Sequence, residues 1–169
     1  RPNLGVISSL GSAHAQGFEN DGQKVQEKML LFAHADVLVF PHDNALVREA
    51  VQGLKKKNPL MQALGWGYEE GAKFRILSAD PAGKGSKVVF QLKGQEVSFE
   101  LPFADKASIE NSMTCICVLY ALERLDPEIL QAFAHLMPVA NRLVFSEGRQ
   151  GNYIINDSYS NDPESLEVA

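Results

Sequence analysis

No apolar run in these 169 residues approaches the ~20 needed to cross a bilayer. The start of the chain has no signal-peptide pattern either. Membrane insertion is therefore not expected, and the sequence predicts a cytoplasmic protein. Cysteine is scarce: Cys115 and Cys117 are the only two. They stand at i and i+2 on an expected helix and so face roughly opposite sides. That spacing excludes a local metal pair and reads as two small buried hydrophobes in a reducing compartment. An excess of basic charge is also missing. Formal net charge is −5, with acids and bases interspersed, which argues against a nucleic-acid footprint. The one basic run, Lys55-Lys56-Lys57, closes an expected helix, where cations complement the helix dipole. A phosphate-binding loop is absent as well. Asp80-Pro81-Ala82-Gly83-Lys84-Gly85-Ser86 lacks the Gly-x-x-x-x-Gly-Lys-Ser/Thr spacing and links two strands instead of opening a helix, so it reads as a turn.

What is present suits one domain of ordinary globular composition, long enough to bury a real core. Leu4 to Leu10 is a short, mostly apolar run that stops at Gly11, as a buried strand does when it opens into a loop. From about Gln23, Val25, Lys28, Met29, Phe32 and Ala33 fall at helical spacing, which places Lys28 inside the apolar stripe. A lysine there must snorkel, pair with an acid or lose its charge. A neutral amine can capture carbon dioxide and become a carbamate. Asp36–Phe40 reads as a strand covered on both faces, and Pro41-His42-Asp43-Asn44 as the turn after it. Asn44 caps a helix through Leu54, and Gln62–Gly67 forms the next strand. Strand, helix, strand, helix, strand is the order of a parallel sheet with crossover helices.

At about Lys73 the period changes to two. Phe74 and Ile76, then Val88, Phe90 and Leu92, then Val97, Phe99 and Leu101 predict a small three-stranded antiparallel sheet over 73–101, with a hairpin turn at Lys93-Gly94. A helix follows, capped by Asp105 or Ser108, with Asn111 in its first turn. Asp126-Pro127 starts another by the N-cap and proline rule. Asn141–Phe145 and Asn152–Asp157 read as two paired strands. Asp157, at a strand end, can accept hydrogen bonds from a ligand hydroxyl or cap a turn.

Several of these stretches together resemble the central ATP-binding domain of the Mur ligases. They are Ser-Leu-Gly-Ser-Ala-His14 with Gly17-Phe18 behind it, the helical Lys28 fourteen residues on, Glu110-Asn111-Ser112-Met113-Thr114, Arg142, and Asn156-Asp157-Ser158-Tyr159-Ser160-Asn161-Asp162-Pro163. The Ala-His-x-x-Gly-Phe form is most similar to the D-alanyl-D-alanine-adding branch. The resemblance implies that His14 is a magnesium ligand and that Lys28, as a carbamate, helps hold the metal. It further implies that Asn111 contacts the adenine of ATP, Arg142 its phosphates and Asp157 its ribose. The departures are Lys106-Ala107-Ser108, where the family has a His-Asn pair, and Ser160, where it has asparagine.

The fold expected is thus α/β, a mostly parallel sheet with crossover helices plus the antiparallel sub-sheet. A partial ATP-binding domain would cover 1–162, and 163–169 would start the link to a carboxy-terminal domain. Both ends read as cut, and without a phosphate-binding loop this piece is expected to be inactive alone. The implied activity of the whole is ATP-dependent amide ligation through an acyl phosphate in peptidoglycan precursor synthesis. It would join UDP-N-acetylmuramoyl-tripeptide to D-alanyl-D-alanine, with ATP and Mg2+, between flanking domains of the same chain. Pyridoxal phosphate would enter only if an alanine racemase domain follows. The alternatives are a sister Mur ligase or folylpolyglutamate-synthetase-like ligase with another acceptor, or a catalytically silent nucleotide-binding or interaction domain.

Overall fold

In the computed structural model, residues 2–9, 18, 20–137, 139 and 144–156 are described. The expected alternation is present: β1 (Leu4–Val6), α1 (Asp21–Leu30), β2 (Val37–Pro41), α2 (Ala45–Lys57) and β3 (Gln62–Gly67). β1 pairs parallel with β2 and β2 with β3, in register Gly5↔Leu38 and Val39↔Leu64. β1 is shorter than the apolar run suggested, although the Ile7 N–H still donates to the Val39 carbonyl at 2.9 Å. Both helices start on asparagine caps. The side chain of Asn20 accepts from the Gln23 N–H, and that of Asn44 from the Val47 N–H. Such caps satisfy an amide that the first turn leaves unpaired.

β2 is covered on both faces, and its alternation shows how. Leu38 and Phe40 join Val25 and Met29 of α1 and Val47 and Val51 of α2 on one side. Val39, with Leu64 and Trp66 of β3, points to the other. That second core is closed by Ile109, Met113, Ile116 and Cys117 of α3 (Lys106–Ala121).

The three antiparallel strands form as expected: β4 (Phe74–Ala82), β5 (Gly85–Leu92) and β6 (Gln95–Leu101). They do not stand apart, however. β4 pairs parallel with β3 through Trp66↔Phe74 and Gly67↔Arg75, so one six-stranded sheet runs in the order β1-β2-β3-β4-β5-β6. Parallel neighbours normally need a crossover of a dozen residues or more, because the chain must return to the starting edge. Here β4 begins where β3 ends and continues in the same direction, so residues 68–73 suffice. The sheet thereby steps outward beyond the carboxyl ends of β1–β3. The Lys93-Gly94 hairpin turn is as read, both residues having positive φ. The turn read over Asp80–Ser86 is shorter: only Gly83, with positive φ, and Lys84 lie outside the strands, because Asp80–Ala82 pairs with Gly85–Lys87.

Asp105 is the α3 cap, its carboxylate accepting from the Ser108 N–H at 2.8 Å. Asp126 likewise caps α4 (Pro127–Ala132), and Phe133 behind it buries its ring against Phe99. β7 (Val144–Glu147) and β8 (Tyr153–Asn156) pair antiparallel in a separate two-stranded sheet. Cysteine burial differs from expectation. Cys117 is buried, but Cys115, on the opposite side of α3, is exposed. The two-residue step turns one thiol into the core and the other to water.

Candidate functional site at the carboxyl edge of the sheet

In open α/β sheets ligands bind beyond the carboxyl ends of the strands. At that edge β2 delivers His42 and Asp43, and β3 delivers Tyr68 and Glu69. Asp43 reaches across to the chain leaving β3. One carboxylate oxygen accepts from the Tyr68 N–H at 2.7 Å and the other from the Glu69 N–H at 3.0 Å. The reach requires glycine at position 67, because a Cβ there would overlap the carboxylate. His42 packs beside it. A Cβ at Gly65 would stand 3.1 Å from its Nδ1, and one at Gly71, which has φ +92, 3.3 Å from its Nε2. Arg48, on the first turns of α2, completes the ledge. Its Nη1 donates to the His42 carbonyl and pairs with Glu69 at 2.9 Å.

Tyr68 itself stays 43% exposed on this ledge. Its phenol pKa is raised, first by partial burial and then by the negative charges of Glu110 and Asp43. Trp66, two residues before Tyr68, packs in the same core as Ile109 and Met113 in the first turns of α3, the helix whose Glu110 charge acts on the phenol. There Asn111 is exposed, one residue beyond a Glu110 that pairs with Lys106 at 3.6 Å.

The sequence-derived site residues fare unevenly. Asn111 is exposed on the first turns of α3, one residue beyond the Glu110 whose charge acts on Tyr68. Lys28 is not in the apolar stripe. It is exposed in the last turn of α1, whereas Lys24 is the lysine taken out of water, at 2% exposure. The buried stripe centres on Val25, Met29 and Phe32 and faces α2. At 100° per residue Lys28 lies roughly 60° to one side of Val25, at the margin of such a stripe. The burial expected of Lys28 is thus absent. His14, Arg142 and Asp157 lie outside the described residues. Asp43, Arg48, Tyr68 and Glu69 were not singled out from the sequence. The available signal was the spacing of Gly65, Gly67 and Gly71 at a strand end, which makes room for side chains arriving from β2.

Among the described residues no group of three or more His, Cys, Asp or Glu could hold a metal ion. Mg2+ favours oxygen ligands, and exposed Lys28 would offer one only as a carbamate. The described donors alone do not make a magnesium site.

The model of the Mur ligase middle domain matches residues 1–119. Among solved structures, MurF from Acinetobacter baumannii superposes with a TM-score of 0.78 at 18% identity, over 98% of this chain and 36% of that one. MurF ligase from Thermotoga maritima in complex with ADP gives 0.73 at 20% identity, over 98% and 38%. A mutant of L. casei FPGS gives 0.76 at 15% identity, over 98% and 40%. At these identities the likeness is one of fold, and the chain spans little more than a third of the MurF chains it superposes on. The family match takes in β1 through most of α3, including the whole Asp43–Tyr68 ledge and Asn111, and the chain accordingly belongs to the Mur ligase middle-domain family.

Proposed function

We propose that this chain is the nucleotide-binding part of an ATP-dependent amide ligase of peptidoglycan precursor synthesis, of the type that adds D-alanyl-D-alanine to UDP-N-acetylmuramoyl-tripeptide. The observation that carries the reading is the middle-domain match across the carboxyl edge. The ADP complex of a MurF neighbour supports ATP as the nucleotide. Preference for this acceptor over others rests on the His14-to-Phe18 resemblance.

The reaction is a condensation that ATP makes favourable. A carboxylate oxygen of the tripeptide attacks the γ-phosphorus, the bond to the bridging oxygen of ADP breaks, and an acyl phosphate forms. The amine of D-alanyl-D-alanine then attacks the acyl carbon and phosphate leaves, with one amine proton lost to a base. Several anionic oxygens meet at one centre, so the first step needs fixed positive charge. By the resemblance Arg142 contributes it, and Asp157 holds the ribose. His14 and Lys28 are the proposed magnesium ligands, Lys28 through a carbamate. Flanking domains of the enzyme would bring the nucleotide sugar and the amine.

The test is phosphate release from ATP by the full-length enzyme with UDP-N-acetylmuramoyl-tripeptide, in the presence and absence of D-alanyl-D-alanine. Release that requires both substrates is expected. Release indifferent to D-alanyl-D-alanine but dependent on another amine would move the acceptor to a sister ligase. FPGS among the structural neighbours makes that second reading specific. No release with any pair would favour the silent-domain reading.

A further inference from the structure

We propose that Tyr68 contacts the nucleotide base and helps determine base specificity, and that Asp43 is the positioning residue that holds it in place. The proposal rests on the ATP reading above and adds two residues to it.

The backbone that carries Tyr68 is over-determined for a connection between strands. Its amide and the next are both held by Asp43, Glu69 is tied to Arg48, and Gly67 exists without a Cβ where the carboxylate must pass. The backbone is thus fixed while the aromatic side chain stays 43% exposed. Such an arrangement pre-orders a contact surface before a ligand arrives, so little ordering entropy remains to be lost on binding.

The surrounding charge says which end of a nucleotide belongs here. Among the described residues Asp43, Glu69 and Glu110 are the acids about Tyr68, against two cations, Arg48 paired with Glu69 and Lys106 paired with Glu110, so the balance there stays negative. A phosphate would be repelled. A neutral heterocycle would not. The Tyr68 ring offers it a stacking face, and the exposed Asn111 amide on the adjacent helix offers a donor and an acceptor. With its pKa raised, the phenol stays protonated at neutral pH and remains a donor. The acidic surroundings favour a base that presents an exocyclic amine over one that presents a carbonyl at the same position, that is, a 6-aminopurine over a 6-oxopurine.

The experiment measures kcat and KM of the full-length enzyme for ATP and for ITP, with wild type, Tyr68→Ala, Tyr68→Phe, Asp43→Asn and the Asp43→Asn/Tyr68→Ala double variant. Tyr68→Ala should raise KM for ATP about tenfold, the upper range for an aromatic contact, with kcat within about twofold. Tyr68→Phe keeps the ring and should stay within about threefold of wild type. Asp43→Asn loses one of the two amide contacts. It should raise KM in the same direction, and should add little in the Tyr68→Ala background, because it acts through Tyr68. Wild type should prefer ATP to ITP, and Tyr68→Ala should narrow that preference. An unchanged KM for ATP in Tyr68→Ala overturns the proposal, as does full additivity of the two substitutions. If wild type turns over ATP normally and the variants match it, this inference alone fails. If wild type does not use ATP, the ligase reading fails with it.

Discussion

The Asp43 carboxylate accepts the Tyr68 backbone N–H at 2.7 Å across a sequence separation of 25 residues, so the end of β2 sets the direction of the chain leaving β3. That contact fixes the chain where it leaves β3, shortly before β4 starts beside Trp66. It also explains why glycine occupies position 67, where any side chain would collide with the carboxylate.

Gly67→Ala should therefore destabilise the fold by roughly 1–3 kcal/mol, the usual cost of forcing extra volume into a packed site. Gly53, inside α2, has nothing within 4 Å of a built Cβ. Gly53→Ala should stabilise by about 0.5–1 kcal/mol through helix propensity. Urea denaturation of the two variants beside wild type checks both signs. Equal midpoints for Gly67→Ala and wild type would remove the clamp from the account.

The contrast between these glycines marks what was legible in the sequence. Local periodicity and caps gave β2, α2, β3 and the antiparallel strands, and Gln62–Gly67 coincides with β3. Asn44 and Asp126 cap as read, and of the two candidates Asp105 and Ser108 it is Asp105 that caps α3, because a cap involves residues only three apart. The clamp was not legible, since nothing local ties Asp43 to Tyr68. Lys28 was misplaced because a helical wheel gives azimuth but not which neighbour each side meets. α1 turns Val25 and Met29 toward α2 and leaves Lys28 in water. The continuity of β3 with β4 was hidden for the same reason: only two residue pairs carry it.

Asp105→Ala should cost about 1 kcal/mol by releasing the Ser108 amide at the start of α3. Asp105→Asn keeps an acceptor and should recover most of it. Thermal melting of the pair measures this, and identical melting of alanine variant and wild type would contradict the cap.

The two thiols should behave differently. Cys115 is exposed and should react with a thiol reagent in the native protein, more slowly near neutral pH than a free cysteine because partial burial raises its pKa. Cys117 should react only on unfolding. Its pKa is raised by burial first, against a smaller lowering by Lys73. The folded state thus holds Cys117 protonated while the unfolded chain ionises above its ordinary value of 9.0, so this contribution to stability is full below pH 9 and is lost as pH rises above it. Cys117→Val should flatten the alkaline decline in stability. A decline as steep as that of wild type would show that other groups cause it.

The most direct test of the ligase account follows an oxygen atom. UDP-N-acetylmuramoyl-tripeptide labelled with 18O in its terminal carboxylate is turned over by the full-length enzyme with ATP and D-alanyl-D-alanine, and the released phosphate is analysed by mass. An acyl phosphate intermediate transfers one carboxylate oxygen to each phosphate, and the account predicts that label in the phosphate. Phosphate released without it, while the amide product accumulates, would contradict the mechanism.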